Sequence, residues 1–301
     1  MTAAATESGP TATRAPNRVC SLSNLCGPSC VATMWSTSLR EQKVMLMLRA
    51  YVDESCKVEE HDFVAVAGTM ASLKSWQDFE SRWTAILKHF GVSALHMRNF
   101  AHSRGEFSPW LGDEQKRQDF LGRLMRVALE TVDSVVGAVV DVRVFRSLDD
   151  AERAVHGNDP YWPCLQDCFS IAGNRAIDFG PDEVVEIFVE AQPGLAAKAT
   201  DLFDRCKIAL ADPAMRLDGD PGAIAERLDS ITVRSKSGAV PFQVADWLAY
   251  EITKEAGSLA MGPQRRPRRW PFDQFMSHRG HIAVYGTKES LLRKSPLGDR
   301  L

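Results

Sequence analysis

The chain has 301 residues, enough for one large domain or two small ones. Its 45% hydrophobic and 25% charged content is that of an ordinary globular protein. A formal net charge of -3 excludes a uniformly basic nucleic-acid binder, and with no run near the roughly 18 apolar residues of a membrane span, no membrane partner is expected.

Residues 1–42 are rich in Ala, Thr, Ser, Pro and Gly and lack hydrophobic periodicity, which reads as a flexible N-terminal tail. No apolar core follows a basic start, so no secretory leader is read and a cytoplasmic location is expected. Met34, Met45 and Met47 precede the first strand, and the natural start is expected downstream of Met1. The seven cysteines show no framework spacing and read mostly as free thiols packed as small apolar residues. Cys20, Cys26 and Cys30 are spaced C-x5-C-x3-C with no fourth Cys or His nearby, which is not the paired pattern of a zinc site.

From Val44 toward Val52 an apolar run predicts a strand buried on both faces, stopping on Asp53 and Glu54. Adjacent acids there either cap a turn or form one corner of a metal site. Phe63–Met70 predicts a second strand, antiparallel to the first. Ser72 or Ser75 caps the next helix, where Trp76, Phe79, Trp83, Ile86, Leu87 and Phe90 recur at helical spacing as core, and Gly91 ends it. Ala94–His102 leads into a loop, and a helix is predicted from Asp113 to Thr131. Val135–Phe145 reads as a long strand interrupted by Asp141; Leu148–Val155 and Tyr161–Ile177 read as helices. Val184–Glu190 is a strand ending on an acid, Leu195–Leu210 a helix, Leu228–Val233 a short strand, and Pro241–Ala256 a helix carrying Asp246.

The alternation predicts one α/β domain. Counted in order, the elements match an RNase H-like mixed five-stranded sheet flanked by helices, spanning 43–275, with 72–132 as a helical insertion after the second strand. Residues 276–301 read as a basic C-terminal extension. In such a sheet the first and fourth strands are neighbours and the last helix crosses beside them, so Asp53, Glu190 and Asp246 would converge. Oxygen ligands of this kind suit Mg2+ or Mn2+, and a pair of such ions about 3.5–4 Å apart activates water and stabilises the leaving oxygen in phosphodiester hydrolysis. Each acid has a plainer role open to it: Glu190 as a solvated strand end, Asp246 as an ion-pair partner, Asp141 as a polar-face residue. Asp167 lies on the helix where RNase H-like enzymes often carry a further acid.

Lys236, in Ser235-Lys236-Ser237-Gly238 before the last helix, suits a phosphate-bearing substrate. Arg265, Arg266, Arg268 and Arg269 surround Pro267, and residues 261–301 carry nine Lys and Arg against three Asp and Glu. That asymmetry reads either as a patch tracking a nucleic-acid backbone or as a solvated basic tail. His96 and His102 flank a short segment and serve either substrate positioning and proton transfer or structure.

Tyr51-Val52-Asp53-Glu54-Ser55, the following Val66-Ala67-Gly68, Leu95-His96-Met97, Ser235-Lys236-Ser237 and Phe242–Tyr250 together resemble the domain-of-unknown-function 3800 family, over about residues 45–275. Its members carry a strand ending D-E-S and a late Q-x-A-D-x-L-A helix, here Gln243–Ala249. The resemblance implies an RNase H-like fold, metal-dependent nuclease activity, and Asp53 and Asp246 as metal ligands. Two positions depart from the family pattern: Cys56 stands where Gly usually follows D-E-S, and Glu190 where the middle acid is often Asp. The expected function is therefore a Mg2+- or Mn2+-dependent nuclease: Asp53, Glu190 and Asp246 hold metal, Glu54 assists, and His96, Lys236 and the four arginines hold DNA or RNA. The alternatives are a non-catalytic nucleic-acid or protein binding module on the same fold, and a hydrolase of another phosphoester.

Overall fold

The computed structural model describes residues 47–55, 62–212, 220–277 and 280–294. The tail at 1–42, with Cys20, Cys26 and Cys30, lies outside them, as do Met45 and Cys56. Strands β1 (Met47–Ser55) and β2 (Phe63–Ser72) pair antiparallel. An excursion of α1 (Leu73–Phe90), α2 (Met97–Ala101), a 3-10 turn (Gly105–Trp110) and α3 (Glu114–Thr131) then returns to β3 (Ser134–Asp141), antiparallel to β2. Next come α4 (Val142–Arg146), α5 (Asp150–Val155) and α6 (Tyr161–Ile177), leading to β4 (Val184–Glu190), parallel to β1. Helices α7 (Leu195–Leu210) and α8 (Pro221–Arg227) lead to β5 (Leu228–Arg234), parallel to β4. A 3-10 turn (Lys236–Gly238) opens onto α9 (Phe242–Ala260); α10 (Trp270–Ser277), β6 (Gly280–Tyr285) and α11 (Lys288–Lys294) follow.

The result is an α/β fold whose mixed sheet has six strands in the order β5-β4-β1-β2-β3-β6, not five. The sixth is β6, parallel to β3. Its run Ile282-Ala283-Val284-Tyr285 is short and sits within a basic stretch, so charge masked a strand in what reads as an extension. The long strand expected over Val135–Phe145 also stops early. Asp141 ends it, because its Oδ1 accepts the Arg143 N–H at 2.8 Å and turns the chain into α4.

The central strands are buried on both faces, so two cores form. On one face Tyr51, Ala65 and Ala67 meet Trp76, Phe79 and Trp83 of α1, Leu124 of α3 and Phe242, Trp247 and Leu248 of α9. The aromatic stripe of α1 is thus core, as its spacing predicts. Burying each such ring contributes about 1.5–3 kcal/mol before entropy is counted. On the other face Ala50, Val52 and Val66 meet Cys164, Leu165 and Phe169 of α6 and Leu202 and Phe203 of α7. Cys164, Cys168 and Cys206 are free thiols buried there, where burial pushes their pKa values up and keeps them unreactive.

Helix α9 reaches across the sheet because Gly137 on β3 leaves it room. A Cβ on Gly137 would stand 2.8 Å from Ile252 Cδ1. Gly137→Ala is expected to destabilise the fold by about 1–3 kcal/mol through overpacking. Adding Ile252→Val, which removes that Cδ1, should recover most of the loss in a denaturant-melt cycle. A purely additive double variant would show that the close approach is not what the glycine serves.

Candidate functional site

The site begins with strand register. Tyr51 of β1 lies beside Phe188 of β4, and their rings stack at 4.9 Å with 14° between planes. Side chains two residues apart on a strand share a face, so Asp53 and Glu190, each two residues further on, emerge together on the α9 side. Phe242, in the first turn of α9, meets the Tyr51 ring edge-on at 5.4 Å. That contact sets the helix so that Asp246, one turn later, faces the two strand acids. The 3-10 turn after β5 supplies the fourth member, Lys236.

Lys236 Nζ stands 2.7 Å from Asp53 Oδ2, 3.6 Å from Glu190 Oε2 and 3.7 Å from Asp246 Oδ1. Three carboxylates from β1, β4 and α9, the nearest two 56 residues apart in sequence, therefore share one ammonium. Asp53 is 3% exposed. Burial, with a hydrogen bond to Glu190, pushes its pKa up to about 7, against the pull of Lys236. Burial also raises Asp246, again opposed by Lys236. For Lys236, burial works against the charge, but Asp53, Asp246 and Glu190 outweigh it and hold the ammonium's pKa above that of ordinary lysine. Lys236, expected from sequence to meet a phosphate, stands at the centre of the cluster. Nothing local in Ser235-Lys236-Ser237 reveals this, since its partners come from β1, β4 and α9.

Glu54 does not join them. Strand alternation turns it to the opposite face, where it hydrogen-bonds Gln192 and lies near Asp159 and Tyr161; burial raises its pKa. Asp167 is likewise apart, accepting a hydrogen bond from Tyr285 of β6.

Gln243 and Asp246, three residues apart on one face of α9, tie down the segment carrying His96. Gln243 Oε1 accepts the Leu95 N–H at 2.8 Å and the Trp83 Nε1–H at 2.9 Å. Asp246 Oδ2 accepts the Met97 N–H at 2.9 Å. Exposed His96 is held between these anchors and favours the charged form of Asp246. Gln243 stands in the Q-x-A-D motif, and the i, i+3 spacing was the signal for its shared face with Asp246. His102 is exposed at the end of α2 and contributes nothing to the cluster.

Three of the four arginines are committed elsewhere. Arg269 forks onto the fully buried Glu251 at 2.6 and 3.1 Å. Arg265 and Arg268 both pair with buried Glu255, Arg268 at 3.3 Å and also with Asp273 at 3.4 Å. They neutralise acids on the second half of α9 rather than forming a free patch. Arg266 is fixed through its backbone, whose N–H and carbonyl both bond Ser258 Oγ.

Among the described residues no group of three or more His, Cys, Asp or Glu is drawn close enough to hold a metal ion. The position the three acids share is taken by an ammonium, whose nitrogen stands 2.7–3.7 Å from their oxygens. The donor set itself, carboxylate oxygens alone, fits a hard divalent cation. Among the described residues no helix is long and apolar enough to cross a membrane. Comparison with known proteins finds no matching family model and no matching curated protein.

Proposed function

We propose that the chain is a divalent-metal-dependent nuclease of the domain-of-unknown-function 3800 type, built on an RNase H-like sheet. The observation that carries this reading is the convergence of Asp53, Glu190 and Asp246 on one cation, at the C-terminal ends of the parallel strands β1 and β4. The strand order supports the fold assignment: an antiparallel β1-β2-β3 meander, with β4 and β5 added parallel on the far side of β1. In this reading β6 is an added edge strand.

Asp53, Glu190 and Asp246 would hold Mg2+ or Mn2+. Such an ion supplies Lewis acidity toward a phosphoryl oxygen and a water acidic enough to attack at neutral pH. Lys236, displaced from the centre but anchored by its turn, offers a fixed positive charge for the developing charge on the phosphate. His96, at the rim beside Asp246, contacts the substrate. Of the arginines, only Arg266 retains a side chain available for the backbone of DNA or RNA.

A cleavage panel tests this: DNA and RNA, single- and double-stranded, each with Mg2+, Mn2+ and EDTA. Metal-dependent cleavage is expected, with Asp53→Asn and Asp246→Asn each lowering it by at least about 10²–10³-fold, the scale of removing one electrostatic group from a preorganised site. Cleavage that survives both substitutions would sink the site. The second reading, a non-catalytic binding module, is favoured by one observation: Lys236 already offsets part of the cluster's charge, as in a structural ion-pair network. It predicts nucleic-acid or protein binding without turnover, indifferent to metal.

A further inference from the structure

A second polar site lies on the other face of the sheet, away from Lys236. Where α5 ends, the chain turns through His156 into α6, and α7 packs alongside. Between them is a cavity of about 190 Å³. His156 and Gln166 line it, and each is 3% exposed. Neither ring nitrogen of His156 nor Gln166 Nε2 has a hydrogen-bond partner among the described residues. Leaving such buried atoms unpaired costs about 1–3 kcal/mol each, so a polar occupant of the cavity that pairs with an N–H of either side chain gains from relieving that cost. At the mouth stand Lys198 and Arg205 of α7, with Asp201 pairing Arg205 at 3.1 Å and leaving the Lys198 charge unbalanced. Trp162 forms an apolar wall.

We propose that this cavity is a binding site for a phosphate group, free or as a small monoester. The donors come from separate elements: an imidazole N–H from the turn after α5, an amide NH2 from α6, and an ammonium and a guanidinium from α7. A group that accepts from all of them presents several acceptor oxygens in different directions, as a tetrahedral oxyanion does and a planar carboxylate does not. Burial lowers the His156 pKa and so favours the neutral imidazole, which has one N–H to donate. The cavity exceeds the size of inorganic phosphate, and Trp162 gives an ester's carbon skeleton a surface to rest on. The site is independent of the nuclease reading, since it shares no residue with the acid cluster.

Isothermal titration calorimetry on the full chain in EDTA tests it, with inorganic phosphate and glycerol 3-phosphate as separate probes and chloride matching the ionic strength. Saturable binding of at least one probe is expected, with a Kd of about 1 mM or tighter. Stronger binding of the ester or of the free ion assigns which form the cavity takes. Gln166→Leu and the surface variant Lys198→Glu should each weaken binding about tenfold or more, and Lys74→Glu, at an exposed position on α1, should leave it unchanged. If Gln166→Leu fails to fold, Lys198→Glu alone decides. No saturable heat from either probe, or binding that Lys198→Glu leaves intact, overturns the proposal.

Discussion

Lys236→Met is expected to cost about 3–5 kcal/mol of stability at pH 8, the loss typical of removing one partner from a buried charge pair. In a domain of this size that is a Tm roughly 6–20 °C lower. The substitution keeps most of the side chain's volume and removes only the charge at 2.7 Å from Asp53. What remains is a set of carboxylates facing one another with nothing to offset them. The loss should shrink on acidification. Asp53 has a folded pKa raised to about 7 from an ordinary 3.8, so stability linked to its protonated form is fully present below about pH 4 and is lost as pH rises through about 7. Lys236 is displaced the same way for a base, so its contribution is complete below pH 10.5 and undiminished at pH 8. Removing it therefore exposes the full carboxylate penalty at pH 8 and little of it at pH 4. Melts of wild type and variant across that range check the slope.

The same variant separates the two readings of the site. In the nuclease reading Lys236 competes for the position a divalent ion takes, so Mn2+ should raise the Tm of Lys236→Met more than that of wild type. A ligand at a hundred times its Kd adds about 2.7 kcal/mol, enough to recover much of the loss. In the binding-module reading the cluster is an ion-pair network, and Mn2+ should leave both melts where they were.

The legible parts of this fold are those whose cause is local. Val184–Glu190 and Leu195–Leu210 appear in the structure with the limits their patterns predict, because a buried strand and a one-sided helix write their periods into sequence. Asp53, Glu190 and Asp246 were legible for a related reason: each is an acid at a place where an apolar element ends or begins. The separation of Asp53 from Glu54 was also available, since neighbours on a strand face opposite ways, but the adjacent acids invite reading as a pair. What depends on long-range pairing was not legible. Arg265, Arg268 and Arg269 look free until Glu251 and Glu255 are seen beneath them, and those acids look like ordinary helix-surface residues in sequence. Lys236 reads only as a phosphate contact for the same reason.

Gln243→Leu is expected to be nearly as damaging as Lys236→Met, though it touches no charge. Gln243 is buried, and one oxygen serves two donors, the Trp83 indole and the Leu95 backbone. Leucine fills the space but leaves both N–H groups buried and unpaired, at about 1–3 kcal/mol each, or about 2–6 kcal/mol together. Unlike Lys236→Met, this loss has no reason to vanish at pH 4 or to respond to Mn2+, because it is an unsatisfied hydrogen bond and not a repulsion. Gln243→Glu keeps an acceptor for both donors and should recover the anchoring while adding a buried negative charge three residues from Asp246. Its loss relative to wild type should therefore shrink on acidification, where that of Gln243→Leu stays constant. Hydrogen exchange at Leu95 gives the local readout: protection lost in Gln243→Leu and kept in Gln243→Glu identifies Gln243 as the residue that positions His96. Equal protection in both would assign that role to the Asp246–Met97 bond alone, since Asp246 holds the same segment two residues further on.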